Sequence, residues 1–275
     1  AARRAIWDHM RRTAFTVQRL RPAVFVHVST SHEYWQAVAA DRELAQVCDW
    51  TRQAAAWLDA PARPAEDHLV LVNATLEGPI HAGSQPALVA DSRLSGSLAW
   101  SGATVLAGVQ SAQPLALGED VVLHQLPVDG CFVSRIYGLH DDPKRAWTDP
   151  GATVMNRTWA DWLTSTQVTP ELLWPRLPPD EWTLWNARLY PLAADREASL
   201  RLSLPLQDAA HLPEGWRAEW EASERLSLAE SYRRADSHLI LADATAVEDR
   251  VAVQHACAAI RAEQPAAATA ALLGA

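Results

Sequence analysis

The sequence of 275 residues is poor in lysine and lacks an excess of positive charge. Lys144 is the only lysine among 24 lysine and arginine residues, so its position is more informative than that of an ordinary lysine. The formal net charge of −9 argues against nucleic acid as a partner, because proteins that bind nucleic acids present a basic surface.

Cysteine is also scarce, and its placement predicts free thiols. Cys48, Cys131 and Cys257 are far apart, without a C-x-x-C pair or a histidine at metal-ligand spacing. An odd number of scattered cysteines fits reduced thiols better than a disulfide framework or a zinc site. The sequence therefore predicts a cytoplasmic protein without a bound metal.

Long apolar runs are missing as well. No stretch reaches the roughly 18–20 apolar residues that cross a bilayer, and no signal-peptide pattern opens the chain, so we expect no membrane partner. The chain starts at Ala1 without an initiator methionine and stops within an alanine-rich stretch. We interpret it as a fragment of a longer polypeptide; a trimmed complete protein is the alternative.

The segment before Pro61 contains one strand pattern and two helix patterns. Apolar residues alternate over residues 24–28, as in a β-strand. Thr30 and Glu33 form a capping box, which starts a helix that continues through Val38. A second helix is predicted from Leu44 to Leu58.

The strongest structural pattern in the sequence is a six-position spacing. One register is apolar and a second is small. The apolar register is Leu76, Ala82, Leu88, Leu94, Trp100 and Leu106, and the small register is Gly78, Ser84, Ala90, Gly96, Gly102 and Gly108. Hexapeptide repeats of this kind build a β-helix, in which the apolar position fills the interior and the small position allows a tight turn.

We therefore predict a short left-handed β-helix of about two coils near residues 67–125, with Leu88, Leu94 and Trp100 stacked in one interior. A glycine-rich antiparallel sheet is the alternative. More strands are expected over residues 121–137, and a capping box at Ser227 starts a mainly helical C-terminal part. The fold class is mixed α and β, with an α/β segment before the β-helix.

Eight of the 13 tryptophans fall within residues 147–220. Indole rings stack on the apolar faces of sugars, so a carbohydrate surface is one interpretation. Packing is the other, and we favour it because Trp159 and Trp162, like Trp182 and Trp185, are three positions apart, as on one face of a helix.

The segment RIYGLHDDPKR, residues 135–145, is the densest polar cluster in a predicted turn. Arg135 and Lys144 could bind a sugar phosphate while Asp141 and Asp142 bind hydroxyl groups or Mg²⁺. Alternatively, the cluster braces the loop, with Asp142 starting the turn before a proline. Under either interpretation we expect Lys144 in a fixed polar cluster with Asp141 or Asp142.

Three histidines lie near the predicted strands: His81, His124 and His140. In hexapeptide-repeat acyltransferases a histidine acts as the base between adjacent prisms, which makes this class an alternative function. Lone histidines on strands are more often packed or solvated. A non-catalytic β-helix that serves as a scaffold or an oligomerisation module is a third possibility.

Four segments in order resemble the L-fucokinase and fucose-1-phosphate guanylyltransferase (GDP-fucose pyrophosphorylase) family. They are VFVHVSTSHEYW (24–35), the hexapeptide stretch (71–125), GCFVSRIYGLHDDPK with WADWL (130–144 and 159–163), and TLWNARLYPL (183–192). The likeness is to the second half of the pyrophosphorylase region. It adds Asn186, in the fourth segment, to the substrate-binding candidates.

The resemblance implies a nucleotidyltransferase domain followed by a left-handed β-helix, and in bifunctional members a sugar kinase. It divides the chain into a piece of a transferase-like domain (1–66), the β-helix with its strands and loops (67–165) and a helical connector (166–275). The glycine-rich nucleotide loop and the kinase phosphate loop of the family are both missing from the sequence. No catalytic residue of the family can therefore be placed here.

The implied function is that of a fragment of a nucleotide-sugar enzyme of L-fucose salvage, leading to GDP-fucose. The parent enzyme is expected to use ATP or GTP with Mg²⁺, whereas no cofactor is expected in this chain. Sugar phosphate and nucleotide would bind through the missing catalytic domain, and the β-helix could form a homo-oligomer. This chain alone is expected to be inactive.

Overall fold

A computed structural model describes residues 2–11, 26–59, 68–262 and 264–273. The N-terminal helices are α1 (Ala2–Met10), α2 (Ser31–Trp35) and α3 (Arg42–Val47), with a π-helical turn at Gln36–Ala40. Of the strand predicted over residues 24–28, positions 24 and 25 lie outside the described part. Residues 26–28 are irregular and exposed, so no strand is found there.

The predicted capping box is confirmed at the start of α2. The Thr30 hydroxyl accepts a hydrogen bond from the Glu33 amide at 3.1 Å, and the Glu33 carboxylate accepts from the amides of Thr30 and Ser29. Hydrogen bonds to the carboxylate, led by that from the Ser29 hydroxyl, lower the pKa of Glu33 to about 2. The helix start is therefore fixed by local side-chain chemistry.

The second predicted helix, from Leu44 to Leu58, is only partly right. Asp41 caps α3, which ends at Val47, and Asp49 follows with a positive φ of 53°. Residues Gln53–Leu58 form a strand. Parallel pairing with the next strand, a contact distant in sequence, overrides the local helical pattern there.

The central part of the chain is a parallel β-solenoid of about four turns. Its strands are β1 (Gln53–Leu58), β2 (Leu69–Leu76), β3 (Ile80–His81), β4 (Ala87–Leu94), β5 (Leu98–Trp100), β6 (Thr104–Ala107), β7 (Gln110–Ser111), β8 (Leu115–Leu117) and β9 (Val121–Val128). One face stacks β1, β2, β4, β6 and β9, and another stacks β3, β5 and β8, all in parallel.

The β-helix is thus confirmed, but it is about twice as long as expected. Four register pairs define its step: Gln53↔Leu71, Leu69↔Ala87, Ala87↔Thr104 and Thr104↔Val121. The step is one position longer in the first two pairs than in the last two. Because β1 already pairs with β2, the first coil starts before residue 67; the predicted domain boundary there stays a prediction.

Two corners of the solenoid recur from coil to coil. At one, Ala55, Asn73, Asp91 and Gly108 all have positive φ, and the Asn73 side chain donates to Asp91 at 2.7 Å. At the other, a Cβ added to Gly78 would lie 2.2 Å from the Gly96 carbonyl oxygen. The small register therefore marks places where neighbouring coils touch through their backbones.

The predicted apolar register is right for Leu94 and Trp100, which lie in the solenoid interior, and wrong for Leu88. In β4 the side chains of Ala87 and Val89 face inward, whereas Leu88 packs outside with Trp35. The phase of the pattern shifts within β4 because the strand turns a corner at Asp91, which has a positive φ of 49°.

After the last coil the chain switches to antiparallel pairing. The strands are β10 (Cys131–Gly138), β11 (Thr153–Val154), β12 (Arg157–Thr158), β13 (Tyr190–Ala193) and β14 (Arg225–Leu226). β9 and β10 form a hairpin through Asp129 and Gly130, both with positive φ, as a tight hairpin turn requires. The strands predicted over residues 121–137 are thereby confirmed.

The C-terminal part is mainly helical, as expected. Its helices are α4 (Trp159–Thr166), α5 (Pro170–Leu173), α6 (Arg196–Ser203), α7 (Trp216–Ala222), α8 (Leu228–Arg234), α9 (Ser237–Arg261) and α10 (Pro265–Leu273), with 3-10 turns at Pro179–Glu181 and Leu204–Asp208. The Ser227 capping box is confirmed. Helix α9 packs along β1, β2 and β4.

The tryptophans of residues 147–220 pack against one another. Trp174 and Trp182 stack at 5.0 Å with an angle of 8° between their rings, and Trp159 lies 4.9 Å from Trp174. Five of their indole N–H groups donate to backbone carbonyls within the protein; that of Trp174, for example, donates to the Thr183 carbonyl at 2.9 Å. Packing is therefore the correct interpretation, although Trp182 lies outside any α-helix.

No helix within the described residues combines the length and the apolar character that a membrane crossing requires.

Candidate functional site

A cleft of about 660 Å³ opens at the C-terminal end of the solenoid. Three segments line it: the end of the last coil (116–121), the turn between β11 and β12 (155–157) and residues 207–208 of a 3-10 turn. We call it the solenoid-end cleft. Two of its three walls consist of backbone that is fixed by strands on both sides, so its shape is largely preformed.

Side chains join these walls. The Gln207 amide accepts from the Gly118 amide at 3.0 Å and donates to the Ala116 carbonyl at 2.9 Å, which mimics a further strand along the edge of β8. The Asn156 side chain donates to the carbonyls of Asp120 and Glu119 at 2.9 and 3.3 Å. The cleft is therefore closed by hydrogen bonds on two sides.

Asp141 positions the turn at the centre of the cleft. Its buried carboxylate accepts from the amides of Gly138 at 2.7 Å, Met155 at 2.8 Å and Asn156 at 3.0 Å. Met155 and Asn156 both have positive φ, and the carboxylate compensates that unusual turn. Burial raises the pKa of Asp141 even though these amide bonds oppose the shift.

Two charged side chains at the cleft have no partner among the described residues. Glu119 and Arg157 are not buried and line the cleft, while the nearby Asp120 contacts His140 at 3.2 Å and Asp208 contacts His211 at 3.1 Å. A free carboxylate accepts hydrogen bonds from hydroxyl groups, and a guanidinium forms paired bonds with a phosphate. The described lining of the cleft therefore offers one free acceptor and one free cationic donor to a ligand.

The predicted site residues divide between structural and exposed positions. Asp141 is the buried brace described above. Asp142 is exposed and accepts from the Lys144 backbone amide at 3.1 Å, which confirms the turn before Pro143. Its carboxylate lies 3.5 Å from Arg145.

The Lys144 ammonium group makes no hydrogen bond or ion pair with any residue that the structure describes. The expected fixed cluster with Asp141 or Asp142 is therefore wrong. Asp141 is occupied by backbone amides, and Arg145 takes the position beside Asp142. Whether Lys144 contacts a substrate stays a prediction.

Asn186 and Arg135 lie on neighbouring structure. The Asn186 side chain donates to the Glu181 carbonyl at 3.2 Å, and the adjacent Trp185 amide donates to the Pro143 carbonyl at 2.7 Å, so this turn meets the Asp142 loop. Arg135 is buried on β10 beside His124. The Asp141–Lys144 loop and the Asn186 turn are therefore in contact, whereas Arg135 is buried within the sheet.

The histidines do not support acyl transfer. His81 is exposed, His124 is bonded to Arg135, and His140 lies between Asp120 and the ring of His32, at 4.8 Å between centroids. The described residues also contain no group of three or more histidine, cysteine or acidic side chains that could hold a metal ion.

Sequence reasoning missed the four side chains that define the cleft: Glu119, Asn156, Arg157 and Gln207. They come from three segments far apart in the sequence, and none belongs to a recognisable motif. The one available pattern was the pair Met155 and Asn156 between two short β-prone stretches, which resembles a hairpin turn only weakly.

In the comparison with protein families, the model of the fucose pyrophosphorylase domain matches residues 1–195. This range includes the whole solenoid and two of the three cleft walls. Neither the curated proteins nor the solved structures include a significant match to the chain.

Proposed function

Since the chain belongs to the fucose pyrophosphorylase domain family, we propose that it serves the transfer of a guanylyl group from GTP to fucose 1-phosphate, which yields GDP-fucose in L-fucose salvage in the cytoplasm. Family membership supports a nucleotide-sugar pyrophosphorylase-type function. The family match over residues 1–195 is the observation that carries this proposal.

In this reaction an oxygen of the sugar 1-phosphate attacks the α-phosphorus of GTP. The bond from that phosphorus to the bridging oxygen of the β-phosphate breaks, and pyrophosphate leaves. A protein accelerates such a step mainly by positioning the two reactants and by stabilising the developing charge.

We assign the sugar-phosphate side of this reaction to the solenoid-end cleft. The Arg157 guanidinium would bind the phosphate, and the Glu119 carboxylate would accept hydrogen bonds from the sugar hydroxyls. Asp141 would act as a positioning residue, because it holds the turn that precedes Arg157.

The nucleotide phosphates require a different part of the enzyme. The 11 glycines of the chain are never closer than five positions to one another, so no glycine-rich loop can surround a triphosphate. We propose that a nucleotidyltransferase domain outside this chain supplies that loop, together with Mg²⁺. Acyl transfer and a purely structural role gain no support from the family match.

Binding of fucose 1-phosphate to the purified chain, measured by calorimetry, tests the proposal. We expect Arg157→Met to weaken binding roughly 10-fold or more, since it removes a charged hydrogen-bond donor. Arg145→Met is the matched control, because Arg145 is also exposed but pairs with Asp142 and Asp149 away from the cleft; it should bind as the wild type does.

The same protein should form no GDP-fucose when it is incubated with GTP, Mg²⁺ and fucose 1-phosphate. Turnover by the chain alone would contradict the assignment of the nucleotide phosphates to another domain. Equal affinities of wild type and Arg157→Met would contradict the assignment of the cleft.

A further inference from the structure

Arg135 is a buried cation without a counter-charge. The residue is 8% exposed on β10, and none of the described acidic residues forms an ion pair with it. Within the described part of the chain, its one side-chain hydrogen bond runs from Nη2 to Nδ1 of His124, and its Nε has no partner. Taking an ion out of water costs several kcal/mol unless a partner compensates it.

Other shielded arginines of the protein are compensated. The Arg196 side chain, 17% exposed, pairs with Asp243, and the Arg250 side chain, 32% exposed, pairs with Glu77. Arg225 donates three bonds to backbone carbonyls and lies over the Trp220 ring. Arg135 differs from all three, because neither a carboxylate nor a carbonyl accepts from its guanidinium among the described residues.

A second buried polar group without a hydrogen-bond partner in the described part of the chain, the Tyr190 hydroxyl, lies in the surroundings of Arg135. Tyr190 is fully buried, and its hydroxyl has no partner among the described residues; it is close enough to Arg135 for the two charges to influence each other. His124 is held neutral, because burial and then the Arg135 charge lower its pKa to about 3. The cluster of these three residues thus offers donors and one cation. The carboxylate that acts on Tyr190, that of Asp141, accepts from three backbone amides and forms no ion pair with Arg135.

We propose that Arg135 and the Tyr190 hydroxyl bind an oxyanion of phosphate size, with His124 orienting the guanidinium. The anion would supply the missing negative charge and accept bonds from Nε of Arg135 and from the tyrosine, since phosphate and guanidinium match as a paired donor and acceptor. Inorganic phosphate and the phosphate of a sugar phosphate share this chemistry; only the second source depends on the proposed function.

Thermal unfolding in a buffer free of phosphate, sulfate and chloride tests this site without any need for catalysis. Inorganic phosphate, fucose 1-phosphate or chloride is then added to the wild-type chain, Arg135→Met and Arg157→Met. At about 100 times its Kd, a bound anion should raise the Tm of the wild type by roughly 5–10 °C. Arg157→Met should show the same rise with inorganic phosphate, because its cleft is a separate site in which a single exposed guanidinium binds free phosphate only weakly.

Arg135→Met should show no phosphate-dependent rise, and without anions its Tm should equal or exceed that of the wild type, because an apolar side chain of similar length replaces an uncompensated charge. Tyr190→Phe keeps the ring and removes only the hydroxyl, so it should need several-fold more phosphate for the same rise in Tm. This variant tests the site if Arg135→Met fails to fold. A rise with fucose 1-phosphate but not with phosphate identifies the sugar phosphate as the source if Arg157→Met keeps that rise and Arg135→Met loses it; the reverse result assigns the rise to the cleft.

The proposal is overturned if phosphate and fucose 1-phosphate both leave the wild type unchanged, if chloride stabilises it equally, or if Arg135→Met responds as the wild type does. Loss of the phosphate response in Arg157→Met instead would place the anion in the cleft. These outcomes are independent of GDP-fucose synthesis, so failure here and failure of the proposed function can be told apart.

Discussion

The solenoid and the tryptophan-rich region that follows it are held together by different kinds of contact. In the solenoid, described over residues 53–59 and 68–128, the coils share a parallel ladder, an inward apolar column and two tight corners. Each position therefore has a counterpart in the next coil, and its role can be recognised by repetition.

The tryptophan-rich region, residues 139–235, has no such repetition. Its order rests on contacts that occur once, such as the Asp141 carboxylate on three amides and the Trp174 indole on the Thr183 carbonyl. Repeated backbone contacts thus dominate in the solenoid, and side-chain hydrogen bonds dominate in the tryptophan-rich region. Substitutions that touch one or the other kind of contact test this difference.

The largest effect is expected at a corner of the solenoid. A Cβ at position 96 would lie 2.3 Å from the Gln113 carbonyl oxygen of the next coil, and its three nearest neighbours are all backbone atoms of Gln113 and Pro114, which cannot move aside as a flexible side chain would. Gly96→Ala should therefore lower the free energy of unfolding by about 3 kcal/mol or more. Urea denaturation measures the change.

Gly118→Ala is the control, because the added Cβ would meet only the Gln207 amide oxygen, at 3.7 Å. Its stability should differ from that of the wild type by less than about 1 kcal/mol. Similar losses in both glycine variants would show that the coils do not touch through their backbones at the Gly96 corner.

The next largest effect is expected in the tryptophan-rich region, at Asp141. Asp141→Asn places an amide N–H₂ opposite three backbone donors, so at least one donor loses its acceptor; we expect a loss of about 2–3 kcal/mol. The neighbouring Asp142→Asn removes only exposed contacts and should cost less than about 1 kcal/mol. A reversed order of the two losses in urea denaturation would contradict the role of Asp141 as the brace.

A smaller, pH-dependent effect is expected at His124, where the last parallel strand meets the antiparallel hairpin. Its pKa is about 3 in the folded chain and about 6.5 in the unfolded chain. Below a pH of about 6.5 the unfolded state gains a proton that the folded state does not accept, so stability falls as the pH decreases.

Between pH 7 and pH 5 this proton uptake costs the wild type about 2 kcal/mol. His124→Gln should lack that part of the pH dependence, whereas His211→Gln, at an exposed histidine, should keep it. Unfolding free energies measured at both pH values check the slope; an unchanged slope in His124→Gln would show that His124 titrates normally in the folded chain.

The same contrast explains what could be predicted from the sequence. The spacing of Leu94, Trp100 and Gly96 indicated the solenoid, and the capping boxes at Thr30 and Ser227 were correct, because these patterns act locally or repeat.

The errors within the solenoid also have physical causes. The orientation of Leu88 was mistaken, because β4 turns a corner at Asp91, and the inward positions before that corner are out of phase with those after it. The coil that contains β1 was missed because pairing with β2 overrides its helical pattern.

The cleft could not be predicted, because its walls are not part of the repeat. Glu119, Arg157 and Gln207 meet only after the solenoid ends and the chain returns twice to its last coil. Each of these contacts occurs once in the chain, so no repeated spacing in the sequence predicts it. Arg135 was singled out from the sequence, but its missing counter-charge becomes visible only when burial and partners are known.

The smallest effect is expected at Lys144, the only lysine of the chain. Its ammonium group has no partner among the described residues, and only its backbone amide takes part in the turn. Lys144→Arg keeps the charge and the backbone, so the free energy of unfolding should change by less than about 0.5 kcal/mol.

Binding separates the two remaining explanations of this lysine. If Lys144 contacts a sugar phosphate in the complete enzyme, arginine should weaken the affinity for fucose 1-phosphate by about 1–3 kcal/mol, because a planar guanidinium does not replace a compact ammonium group at a tight contact. If neither the affinity nor the Tm changes, the side chain has no specific contact, and Lys144 is simply a tolerated lysine at the edge of a turn that Asp142 already fixes.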